Sequence, residues 1–253
     1  MSLSDLNAWQ LAYLAVVLLL TFTLRGSLGF GGSIGMPLFA LILPVKTLAP
    51  AWSLIGILSS AAILGHERRL VSREAFVRFL PGCAIGVACG LVLFKAIDSA
   101  SLARLLGVFV ILYGAWSFWR LKHPIGAGRL LPPAVLKGAG SFLSGAVGTL
   151  FGAMASIFFA MYLDGWGATK GQFRATLSAM LFVLSIGRTI AYAAAGELNL
   201  DALILCGAAL PFMGAGLLVG DKLHTGLSER TFQYLVAGAL VVCGLPLLLK
   251  PTP

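Results

Sequence analysis

Arg25 and Arg188 stand at or inside stretches that are otherwise apolar, and guanidinium groups so placed are the sharpest chemical signal in the chain. Arg25 follows the run that starts at Ala8. Arg188 lies within Gln172–Ala195, eight residues before Gly196, which on a helix is about 12 Å from that end. A cation at such depth is costly unless it faces protein, water or a counter-charge, and it marks a functional site by default. A structural ion pair or snorkelling to the surface would also satisfy these side chains, but no acid occupies the middle of an apolar segment. The chemistry favoured is the binding of an anion. Arg174, Ser178, Ser185, Arg188 and Tyr192 follow one another at steps of 4, 7, 3 and 4. They therefore share one helix face, expected to turn inward. Ser53, Gly56 and Ser60 make a weaker stripe that ends near His66, itself expected as an interface residue.

Two glycine-broken stretches would position such an anion. The first, Leu24 to Pro44, holds Gly26, Gly29, Gly31, Gly32 and Gly35 ahead of Pro37; the second, Leu143 to Leu163, holds Gly145, Gly148 and Gly152. Irregular backbone survives in a bilayer only where it is buried in protein or lines a cavity. Glycine also lets a ligand approach the main chain. A helix starting near Gly32 would aim its free N–H groups at whatever sits in the break, which suits a negative charge. Close helix packing is the other use of Gly31–Gly35, a GxxxG pair, and the one expected for Gly82, Gly86 and Gly90. Paired breaks at matching places in two halves point to a transporter with internal repeats and its site at the breaks.

Composition sets the class. Of 253 residues 59% are hydrophobic and 11% charged, with mean hydropathy +0.96, whereas a soluble domain carries about 25% charge. The apolar runs are continuous, which excludes a β-barrel and gives an all-α integral membrane protein. We read about 8–10 apolar segments, ten in the fullest count. The first two of each half are shorter than the ~20 residues a span wants, so they are expected as tilted spans or re-entrant hairpins. Residues 1–122 form a first transmembrane repeat, 123–133 a basic linker rich in glycine and proline, and 134–253 a second repeat. No basic residue precedes Arg25, so the first segment is expected as a retained helix rather than a signal peptide.

Charge orients the chain. His66–Arg78 holds Arg68, Arg69, Arg73 and Arg78, and the 120–137 region holds Arg120, Lys122, Arg129 and Lys137, while Glu197–Asp201 carries acids only. Positive loops face the cytoplasm, which puts 120–137 inside and, with five segments per half, the N-terminus outside. The halves then enter from opposite sides, as inverted-topology repeats do. The net charge of +9 is explained by topology and does not call for nucleic acid.

Other chemistries lack their parts. Gly31–Gly35 matches GxSxG, but that elbow needs a strand–turn–helix context and a His–acid pair. No HExxH, Walker loop or intramembrane acid pair is present, so an enzyme, a metal and a cofactor are not expected. Cys83, Cys89, Cys206 and Cys243 lie in apolar segments and are expected to pack.

The string GFGGSIGMPLF (Gly29 to Phe39), after a first apolar helix in a chain of this length, resembles the sulfite exporter TauE/SafE family. The resemblance covers essentially the whole chain. It implies a multi-pass inner-membrane secondary transporter of small sulfur-containing anions such as sulfite, sulfonates or related organic acids, with Gly29, Gly31, Gly32 and Pro37 as matching positions. The second copy departs: Thr149, Leu150 and Phe151 stand where glycines are usual, and no proline follows.

The expected site therefore comprises Arg25 and Arg188 to neutralise the anion and Ser27 and Ser33 to donate hydrogen bonds. Gly29, Gly31, Gly32 and Gly148 form the breaks, and Ser178 and Ser185 lie on the inward stripe. Partners are a small anion and the lipid bilayer, with a homo-oligomer left open. A passive anion channel, a structural subunit and an intramembrane serine enzyme are the rival readings.

Overall fold

The structure, a computed structural model, describes residues 7–28, 32–122, 133–166, 169–222 and 229–250. Within them it is all helix: α1 Ala8–Leu28, α2 Gly32–Ile42, α3 Val45–Glu67, α4 Arg73–Ala96, α5 Ser99–Lys122, α6 Pro133–Phe151, α7 Ala155–Trp166, α8 Lys170–Ala194, α9 Leu200–Lys222 and α10 Glu229–Leu248. A single 3-10 turn, Arg68–Leu70, joins α3 to α4. The linker core, 123–132, and the glycines Gly29 and Gly31 lie outside the described residues, as does the side chain of His66.

Among the described residues six helices (α1, α3, α4, α5, α8 and α9) are long and apolar enough to cross a membrane. The first segment differs from the expectation of a short one. Arg25 and Gly26 continue α1 to Leu28, giving 21 residues, because the Gly26 backbone lies against the carbonyl of Leu217 on α9 (2.8 Å from an added Cβ). Gly26 therefore serves packing. Gly35, inside α2, likewise abuts Thr21. The short elements are α2, 11 residues, and α7, 12 residues. At 1.5 Å per residue these reach about 16 and 18 Å, roughly half of a ~30 Å hydrocarbon core.

The close approaches fix how the helices run. Gly216 meets Leu19 and Gly220 meets Thr23, so α1 and α9 are parallel; Gly82 meets Ser141 and Gly90 meets Ala146 and Thr149, so α4 and α6 are parallel too. In contrast Gly107 meets Gly244 and Gly114 meets Ala237, which makes α5 and α10 antiparallel. Thr189 on α8 donates to Ser53 on α3 at 2.8 Å, while Ser185 sits beside Gly56, so this central pair is also antiparallel. Exchanging each helix of the first five for the one five places later maps this set of pairings onto itself.

Among the described residues the main core gathers Phe22, Phe39 and Trp52 with Leu48, Leu106, Phe151 and Tyr192. The Trp52 ring lies 5.8 Å from Phe22 and 5.3 Å from Phe39. Cys83, Cys206 and Cys243 are buried as packing residues, whereas Cys89 is exposed on the outer face of α4.

The α4–α6 seam gives a direct prediction. A Cβ on Gly86 would fall 2.1 Å from the Phe142 carbonyl and 2.9 Å from the Ala146 nitrogen. Both are backbone and cannot swing away, so Gly86→Val must force the helices apart. The expected loss is about 3 kcal/mol, at the upper end of overpacking costs, read as a lowered Tm of the detergent-solubilised protein. Gly138→Val, in a helical position with nothing within 4 Å, should be neutral or stabilising by up to about 0.5 kcal/mol.

Candidate functional site

Both short helices begin in the interior, and they begin beside each other. Ser33, in the first turn of α2, and Ser156, in the first turn of α7, share a hydrogen bond of 2.9 Å between their hydroxyls. Both are buried. The first-turn N–H groups of a helix have no partner within it, and each helix start carries the equivalent of about half a positive charge. Two such ends are directed at one place. Pro37 adds to the irregularity, since it cannot donate to the carbonyl of Ser33 one turn back.

The second break is visible in full. α6 stops at Phe151, and the turn Gly152–Met154 redirects the chain into α7. Gly152 has φ 73° and Met154 φ 65°, with the Ala155 amide donating to the Ala153 carbonyl at 2.8 Å. This is a γ-turn of the rare positive-φ kind. Left-handed backbone at a buried methionine is strained. Gly152 is required twice over, for its φ and because an added Cβ would lie 2.7 Å from Cα of Ala49.

Arg25 and Arg188 face the same cavity from different helices. A space of about 20 Å³ is lined by Arg25, Trp52, Gly56, the turn Gly152–Ser156, Leu181, Ser185 and Arg188. That is room for about one water, so a polyatomic anion enters only when the walls separate. Arg25 is 5% and Arg188 3% exposed. Arg25 donates from Nη2 to the Ser60 hydroxyl at 2.7 Å. Arg188 donates from Nη1 to the Gly148 carbonyl at 2.6 Å, and Tyr192 donates to the adjacent carbonyl of Thr149. Both acceptors belong to the last turn of α6, where helical carbonyls run out of partners. Nε of each arginine is buried without a hydrogen-bond partner.

The other expected residues are placed as follows. Ser185 lines the cavity beside Gly56. Ser178 is buried on the same helix, outside the cavity lining, with no partner for its Oγ. Ser27 donates to the Leu24 carbonyl of its own helix at 3.2 Å and does not line the cavity. Gly32 opens α2, and Gly148 contributes its carbonyl to Arg188. The face Ser178–Ser185–Arg188–Tyr192 is buried throughout.

Ser156, Trp52 and Met154 are cavity residues that the sequence reading did not single out. Ser156 left a signal. It stands 123 residues after Ser33, and Gly152 stands at the same spacing after Gly29, so superposing the two breaks pairs serine with serine. Nothing in the sequence flags Met154, whose conformation is imposed by the turn.

The shared hydroxyl bond sets a second expectation. Removing one partner leaves the other buried hydroxyl unsatisfied, at about 1–3 kcal/mol, whereas removing both restores much of the loss. Ser33→Ala and Ser156→Ala should therefore each lower Tm, and the double variant should lower it by less than the sum. Additive effects in this cycle would mean that the two hydroxyls do not interact.

Residues 13–247 match the family described as Sulfite exporter TauE/SafE. No curated protein and no solved structure matches the chain.

Proposed function

This chain belongs to the sulfite exporter TauE/SafE family, a family of membrane transporters, and we propose that it exports sulfite, a sulfonate or a related organosulfur anion by alternating access. The observation that carries the reading is the convergence of Arg25, Arg188 and the start of α7 on one cavity, with the start of α2 hydrogen-bonded to that of α7 through Ser33 and Ser156. An anion gives up water on entering, and the donors that replace it must already be in place. The guanidinium groups and helix-end dipoles supply such donors once the walls separate to admit the ion.

Alternating access asks for two units that rock about a central site. Support for inverted repeats comes from the helix senses: α3 and its counterpart α8 are antiparallel, as are α5 and α10, and counterparts in repeats of opposite topology must be. Each short connection between spanning helices reverses the chain, so the ends of α3 and α5 fall on one side. That side carries Arg68, Arg69, Arg73, Arg120 and Lys122, and is cytoplasmic by the positive-inside rule. The start of α1 is then outside, and a plasma-membrane location follows for an exporter of this kind.

The test is efflux from proteoliposomes loaded with labelled sulfite. Saturable efflux, accelerated by unlabelled sulfite outside, is the expected result. Efflux that neither saturates nor responds to external anion would assign a passive channel instead. No flux of sulfite, sulfate or a sulfonate would remove the transport reading.

A further inference from the structure

We propose that the cavity takes one divalent oxyanion and discriminates against monovalent anions of the same shape, an inference that rests on the site being an anion site. The argument is a count of charge. Among the described buried side chains the only charged ones are Arg25 and Arg188. Their hydrogen-bond partners, the Ser60 hydroxyl and the Gly148 carbonyl, are neutral dipoles that satisfy an N–H without cancelling a charge. The rest of the cavity lining is neutral: Trp52, Leu181, Ser185 and the turn leading into α7.

A monovalent anion between the two guanidinium groups leaves one positive charge uncompensated, and a divalent one leaves none. In surroundings of low dielectric that difference is far larger than in water. The helix starts at Ser33 and Ser156 act in the same direction. Two separate monovalent anions would also balance the charge, but the closed space holds about one water, so a pair of polyatomic ions demands a wider opening than one does, and the two would repel each other. Nε of both arginines, buried and unpartnered, provides donors that an oxyanion with oxygen on every side can accept from.

Thiosulfate and methanesulfonate make a matched pair, since both are tetrahedral at sulfur and differ chiefly by one charge. Binding of each to the full-length detergent-solubilised protein is measured by calorimetry at constant ionic strength. Thiosulfate is expected to bind at least about tenfold more tightly. The ratio should fall towards one in Arg25→Gln and in Arg188→Gln, and should persist in Arg25→Lys and Arg188→Lys, which keep the charge while changing the donor geometry. Equal or tighter binding of methanesulfonate by the parent protein would overturn the inference and leave the anion site standing. A ratio unchanged in both Gln variants would overturn it as well. Binding of neither anion, nor of sulfite, would remove both this inference and the site reading beneath it.

Discussion

Arg188→Gln is expected to abolish measurable sulfite flux while leaving the ligand-free protein at least as heat-stable as its parent. The two halves of that expectation come from one fact: the guanidinium is 3% exposed and its acceptor is a carbonyl rather than a carboxylate. Breaking a buried ion pair is destabilising because it strands the partner charge. Here no partner charge is stranded, and the substitution removes a buried cation whose desolvation opposes folding. What is lost instead is the interaction with the anion. Truncating one side of a desolvated charged contact typically costs about 2–5 kcal/mol, roughly 30- to several-thousand-fold in affinity. Tm without anion and flux with sulfite separate the outcomes. A variant that unfolds would make Arg188 structural, and one that retains most of its flux would place the anion elsewhere. Arg25, donating to Ser60, should follow the same pattern.

Gly152→Ala is expected to cost about 2–5 kcal/mol of stability and most of the flux. An L-residue in the left-handed region costs about 1–2 kcal/mol, and Gly152 has φ 73°. The new Cβ also meets Cα of Ala49 at 2.7 Å, a backbone contact of the kind that adds about 1–3 kcal/mol. Relief requires moving the break away from α3, which shifts Ala155 and Ser156 at the start of α7 and so deforms the cavity wall. Gly187→Ala is the control. It lies on the exposed side of α8 with nothing within 4 Å, so alanine there should be neutral or stabilising by up to about 1 kcal/mol. Comparable losses of Tm in the two variants would refute the role assigned to the turn.

The breaks also show where a sequence stops being readable. Five glycines between Gly26 and Gly35 look alike in a string, yet Gly26 and Gly35 sit inside helices because α9 and Thr21 press against them. A glycine that permits a turn and one that permits contact have the same local sequence. What separates them is a neighbour, sometimes nearly two hundred residues away. For the same reason the first segment ran on past Arg25 to Leu28. The inward stripe on α8 was legible because helical periodicity alone aligns Ser178, Ser185, Arg188 and Tyr192.

The sequence by itself determined that this is a helical membrane protein of its family, with two cations deep inside apolar segments and two interrupted segments. Composition, periodicity and charge spacing are local properties, and solvation in a bilayer acts on them directly. Only the tertiary structure decided that Arg25 on α1 and Arg188 on α8 reach one cavity, that Ser33 meets Ser156, and that Met154 carries the strained turn. Those contacts join different helices. They are fixed by which helix faces pack, and no single segment encodes that choice.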